Sequence, residues 1–135
     1  MSAPNAASVS NDLQGLKILV VDDSKTIRRT AETLLSKEGC DVFTAVDGFD
    51  ALAKIADHKP DIIFVDIMMP RLDGYQTCSL IKHNKTFRET PVIMLSSKDG
   101  LFDRARGRLV GSEQYLTKPF TKDELLGAIA NHVGR

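Results

Sequence analysis

The 135-residue sequence predicts an α/β fold, a doubly wound five-stranded parallel sheet with five helices. Three observations predict it. Short, continuous aliphatic runs recur along the chain, as expected of strands covered on both faces. Segments with helical apolar spacing separate them, and cap-forming residues stand at the joins. No segment repeats, so the alternation describes one sheet wound by right-handed crossovers.

The first strand is "KILVV" (17–21), and Ser24 caps the helix that follows. Ile27, Ala31, Leu34 and Leu35 give that helix its apolar stripe, and Gly39 is placed to end it. "DVFTA" (41–45) is the second strand; Asp47 caps a helix carrying Ala51, Leu52 and Ile55, and Pro60 closes the unit. "DIIFVD" (61–66) is the third strand. After the loop "IMMPRLDG", Asp73 caps a helix through Tyr75, Cys78 and Ile81. "PVIML" (91–95) is the fourth strand, its proline at a first position that needs no ladder donor. A helix through Leu101, Phe102, Ala105 and Leu109 leads to a short fifth strand, "EQYL" (113–116). Thr121 and Glu124 then form a capping box ahead of Leu125, Leu126 and Ile129.

Length suits one domain. Residues 1–15, rich in Ala, Ser and Asn, read as a disordered tail, and 16–135 as the folded domain. Lys plus Arg and Asp plus Glu both number 18, so no bulk field recruits nucleic acid or an anionic membrane. A partner must then be recognised by a local patch. No run approaches the roughly 20 apolar residues that span a bilayer, and the start has no signal-peptide pattern. A cytoplasmic location is expected. Cys40 and Cys78 fit small buried hydrophobes in a reducing compartment, and His58, His83 and His132 fit solvent-facing helix positions.

Ligands of such sheets sit beyond the carboxyl ends of the strands. There strand one ends in Asp22 and Asp23, strand three in Asp66, strand four in Ser96 and Ser97, and strand five in Thr117, Lys118 and Pro119. Taken singly, each aspartate suits a helix or loop cap and Lys118 a solvated charge. Together they are harder to dismiss, because three carboxylates in one cleft need protons or a cation to coexist. With only oxygen donors the cation is a hard one, and Mg²⁺ fits best because it also accepts phosphate oxygens. A phosphoryl group would bridge that ion, Lys118 and a serine hydroxyl with charges matched. Pro119 restricts Lys118 before it and leaves the bond between them open to the cis form.

In order and spacing, "VVDDS", "VDIMMPRLDG", "VIMLSSKDG" and "YLTKPF" resemble the motifs of receiver domains of two-component response regulators, from about Lys17 to the C-terminus. The resemblance implies a flavodoxin-like fold and a role for each matching residue. Asp66 would be the phosphoacceptor for a histidine kinase. Asp23, Asp66 and the backbone carbonyl of Met68 would ligate Mg²⁺, with Asp22 holding a metal-bound water. Lys118 would pair with the carboxylate and then the phosphoryl oxygens, Ser96 would be the switch hydroxyl, and Tyr115 the aromatic that follows it. The output surface would be the face formed by the fourth helix, fifth strand and fifth helix, including Arg104, Arg106 and Arg108; alone, those arginines read as a solvated helix side. Such a protein is a signalling switch that catalyses only its own phosphoryl transfer and dephosphorylation, monomeric or dimerising on phosphorylation. Ser97 departs from the Ala or Gly common beside this site, which bears on phosphoryl lifetime.

"MMPRLDGYQTC" and "SSKDGLFDRARGRLVGS" are further similar to stand-alone receivers of type IV pilus twitching-motility systems, which implies a chemotaxis-type kinase. No residues follow "LLGAIANHVGR" for an output domain, so action through another protein is expected. Two rival functions fit less well. A Mg²⁺-dependent phosphatase would put nucleophile and acid on one DxD loop and add a cap domain. A flavodoxin-like electron carrier would need a Ser/Thr/Gly-rich phosphate loop and ring-stacking aromatics, and "DDSKTIRR" supplies neither.

Overall fold

In the computed structural model, which describes residues 13–97 and 101–133, five parallel strands alternate with five helices. The strands are β1 (Lys17–Val21), β2 (Asp41–Ala45), β3 (Ile62–Asp66), β4 (Val92–Ser96) and β5 (Gln114–Thr117). The helices are α1 (Lys25–Ser36), α2 (Gly48–His58), α3 (Gly74–Lys82), α4 (Leu101–Leu109) and α5 (Lys122–His132). The sheet order is β2-β1-β3-β4-β5. From β1 the chain steps out to β2 and then returns past β1 to β3, so the winding reverses between β1 and β3. Their carboxyl ends, Asp22 and Asp66, flank the resulting crevice.

Burial explains the runs. Every residue of β3 and β4 is buried, as are four of the five in β1, whereas edge strand β2 buries only Ala45. Side-chain alternation divides the core in two. Ile18, Val20, Phe64, Ile93 and Leu95 pack with Ala31, Leu35, Leu125 and Ile129 on the α1/α5 face. Leu19, Val21, Val65, Met94 and Tyr115 pack with Ala51, Ile55, Tyr75, Cys78 and Ile81 on the other.

The caps form as expected. Ser24 Oγ accepts from the Ile27 amide, and Asp47 from that of Asp50. Asp73 with Gln76 and Thr121 with Glu124 make reciprocal capping boxes. Strands three, four and five each differ from the expected limits by one residue at their ends. Helix α1 ends at Ser36, and Gly39 follows in the left-handed region at φ +89, its amide bonded to Ser36. Lys59 closes α2 at φ 50, one residue before Pro60.

Some expectations are corrected. Leu13 is buried in the α1/α5 core and Gly15 donates to the Gly39 carbonyl at 2.8 Å, so residues 13–15 of the expected tail are part of the fold. Residues 1–12 lie outside the described residues. On α4, Ala105 and Leu109 face solvent instead of the core, and Gly107 is buried; the side chains of Leu101 and Phe102 lie outside the described structure. The reason is that α4 seats Gly107 beside Met94 and Ser112, and the opposite side of the helix, with Ala105 and Leu109, then faces outward. Two histidines are half-buried, His58 stacked on Phe43 at 4.0 Å between ring centroids and His132 bonded to Gln114 at 2.7 Å; His83 is exposed. Cys40 and Cys78 are buried and in no disulfide. Among the described residues no helix is long and apolar enough to cross a membrane.

Candidate phosphoryl-transfer site

Asp22 directly continues β1, its amide bonded to the Ala45 carbonyl at 3.1 Å. Its side chain is fully buried, and Oδ1 accepts from the Ser24 amide at 2.8 Å. The same backbone step that begins α1 therefore orients this carboxylate. Arg28, one turn into α1, donates to the Asp22 carbonyl at 2.7 Å and holds the loop from the other side. Asp23 points to solvent. The adjacent pair thus splits into one buried and one exposed charge.

Asp66 ends β3 and is 3% exposed, with Oδ1 accepting from the Met68 amide at 3.3 Å. Lys118 reaches in from the end of β5. Its Nζ donates to Asp22 Oδ2 at 3.0 Å and to Asp66 Oδ1 at 3.1 Å, and its amide bonds the Ser96 carbonyl at 2.6 Å. The Lys118–Pro119 peptide is cis. Burial and then the neighbouring Asp22 charge push the Asp66 carboxyl up to about 6, against the pull of Lys118. Burial works against the Lys118 ammonium, but its hydrogen bonds to Asp22 and Asp66 outweigh this and hold it above the usual lysine value.

Asp22, Asp23 and Asp66 each offer an oxygen within 4.8 Å of the others. One ammonium faces three carboxylates, so negative charge is left over. The donors are all oxygen, and the group fits a hard divalent cation. Ser96, 3% exposed, ends β4 on the face of Val92 and Met94, which also carries Tyr115. Tyr115 is buried under the Arg104 guanidinium, which lies 4.8 Å from its ring centroid. The Met68 side chain is 71% exposed and plays no part in the cluster.

Two contributors escaped the sequence. Gly74 packs on the Asp66 backbone, where a Cβ would clash with the Asp66 carbonyl, and its amide bonds the Ile67 carbonyl at 3.0 Å. The dipeptide Asp73-Gly74 signalled only a helix cap. Arg28 carried no signal, since its backbone contact reaches six residues back.

Residues 18–130 match the response regulator receiver domain family, and the chain belongs to it. Receiver domains are phosphorylated on an aspartate, generally bind Mg²⁺ at an acidic cluster, and work between a histidine kinase and a downstream target. The chain is similar to Protein PilG of Pseudomonas aeruginosa, with 80% identity over 119 residues and 88% of each chain covered. Among solved structures it resembles the chemotaxis protein CheY4 of Vibrio cholerae, with a TM-score of 0.84, 32% identity, and 88% of this chain and 99% of that one covered. The receiver domain of Francisella response regulator 1452 gives 0.78 and 38%, covering 87% and 95%.

Proposed function

We propose that Asp66 is the phosphoacceptor of a response regulator that takes its phosphoryl group from a chemotaxis-type histidine kinase and acts by binding a downstream protein. The observation that carries this reading is Lys118 Nζ bonded to both Asp22 and Asp66 beside an open Asp23. A nucleophile, a counter-charge and spare carboxylates stand together at the switch point of the sheet.

An Asp66 oxygen attacks the donor phosphorus in line. The new O–P bond forms as the bond from phosphorus to the donor's imidazole nitrogen or acyl oxygen breaks, and that atom leaves with the electron pair. With its carboxyl at about 6, Asp66 is mostly ionised at neutral pH and ready to attack. Asp23, Asp66 and the Met68 carbonyl, with Asp22 through water, would hold Mg²⁺, which supplies positive charge for the phosphoryl oxygens. Lys118 releases Asp66 and pairs with the phosphoryl group, and Ser96 donates its hydroxyl to the same oxygens. Tyr115, on the Ser96 face of the sheet, then changes position and alters the surface of α4, β5 and α5.

The protein performs no chemistry beyond its own phosphorylation and dephosphorylation. The resemblance of its loops supports a place in the cytoplasm and in control of type IV pilus twitching motility. Intact-mass measurement with acetyl phosphate and Mg²⁺ tests the reading. One phosphoryl group is expected, absent in Asp66→Asn; no gain, or a gain that survives the substitution, would refute it.

A further inference from the structure

The three arginines of α4 do not share one surroundings. Residues of an α-helix advance by about 100° each, so Arg104 and Arg108 fall on one side of α4 and Arg106 on another. Arg104 and Arg108 line a groove against β5 with Glu113 and Tyr115. Arg106 instead lines a cavity of about 400 Å³ together with Asp23, Met68, Met69, Pro70 and Tyr75. Its guanidinium rests 4.3 Å from the Tyr75 ring centroid. That ring is itself held, because Tyr75 is buried and its hydroxyl donates to the Asp103 carbonyl at 3.2 Å. Tyr75 also follows Gly74, which packs on the Asp66 backbone. The cation is thus placed relative to the nucleophile through two residues. No carboxylate among the described residues forms an ion pair with it.

This placement has a chemical use. Asp23 belongs to the phosphoryl-transfer cluster, and the cavity wall that continues from it is mostly apolar. Asp73, the other acid of that wall, is engaged in the α3 capping box. Arg106 is the one cation among the lining residues, so a leaving group that departs with negative charge finds its counter-charge there. We propose that Arg106 selects the class of phosphodonor, its guanidinium receiving the carboxylate released from an acyl phosphate. As an Asp66 oxygen forms its bond to phosphorus, the bond from phosphorus to the acyl oxygen breaks, and the carboxylate leaves with the electron pair. The charge growing on that oxygen in the transition state meets a cation already in position. A donor whose leaving group is a neutral nitrogen base gains nothing from Arg106. The proposal rests on the reading of Asp66 as the phosphoacceptor and adds the donor class to it.

The test times phosphoryl gain by intact mass on the full chain with Mg²⁺, using two donors. Acetyl phosphate releases an anionic carboxylate, and phosphoramidate releases neutral ammonia. Arg106→Gln is expected to slow labelling by acetyl phosphate about tenfold and by phosphoramidate less than about twofold. Arg106→Lys, which keeps the charge, should recover most of the acetyl phosphate rate. An arginine that merely braces α4 against Tyr75 would slow both donors alike when replaced. Equal slowing with both donors, unchanged rates with both, or a lysine variant as slow as the glutamine one would each overturn the proposal. Acetonylphosphonate, an analogue of acetyl phosphate that cannot transfer its phosphoryl group, gives a readout by binding alone. Titrated into the ¹⁵N-labelled chain, it should move the Arg106 Nε–H and Tyr75 amide signals; shifts confined to another surface would also overturn the proposal. A parent that gains no phosphoryl group from either donor refutes the receiver reading, while this titration still judges the cavity.

Discussion

Gly74 lies flush against the backbone of Asp66, leaving no room for a side chain between α3 and the end of β3. A Cβ there would also stand 2.8 Å from the Ile67 Cα. Because both colliding groups are backbone, they cannot swing aside. Gly74→Ala should destabilise the protein by about 1–3 kcal/mol and slow acetyl phosphate labelling by displacing the nucleophile. Urea unfolding and timed intact-mass measurements check both effects. Parent-like values in both would show that the loop yields freely.

Lys118→Ala leaves the buried Asp22 and Asp66 carboxylates without their counter-charge. In chelator at pH 7.5 the loss should be about 3 kcal/mol, with part recovered on adding Mg²⁺, read from denaturant midpoints. Phosphorylation should persist, but affinity for a downstream partner should stop responding to it. A normal response would show that Lys118 does not couple the site to the surface.

The Asp66 carboxyl, at about 6 against an ordinary 3.8, binds its proton more tightly in the folded protein. Its contribution to stability is therefore full below about pH 4 and is lost as pH rises through 6. In metal-free protein, Asp66→Asn should be no more stable than the parent at pH 4 but more stable at pH 7.5. The gap should open by on the order of 2 kcal/mol. Denaturant midpoints across that window decide it, and a gap independent of pH would count against the assignment.

Burial pushes the Cys78 thiol up to about 12, and its Sγ lies 3.5 Å from the Val110 carbonyl oxygen. Cys40 is buried as well. At pH 8 a disulfide reagent should modify the folded chain at least about a hundredfold more slowly than the unfolded one. Rapid labelling of either thiol in native buffer would show that the helix over it opens readily.

The strands and caps were legible because their signals are local. A buried parallel strand must be apolar on both faces, and Ser24, Asp47, Asp73 and Thr121 each cap within three residues of themselves. The cluster of Asp22, Asp23, Asp66 and Lys118 was legible through one topological rule about the ends of parallel strands. Non-local relations were hidden. The split of Asp22 and Asp23 into buried and exposed charges depends on how β1 meets α1. The stacking of Arg104 on Tyr115 depends on how α4 settles against β5. Ala105 and Leu109 misled because an apolar spacing shows that a stripe exists without showing which way it faces; here the buried side carries Gly107.

The contact between Asp22 and Lys118 joins residues 96 positions apart, and that between Asp66 and Lys118 spans 52. A chain emerging from the ribosome therefore carries Asp22 and Asp66 long before it carries the ammonium that partners them. Until β5 is in place, the two buried carboxylates have the Ser24 and Met68 amides but no ammonium from Lys118. The charge that balances the buried pair is thus among the last parts of the site to be synthesised, and a chain that stops short of β5 holds both carboxylates without it.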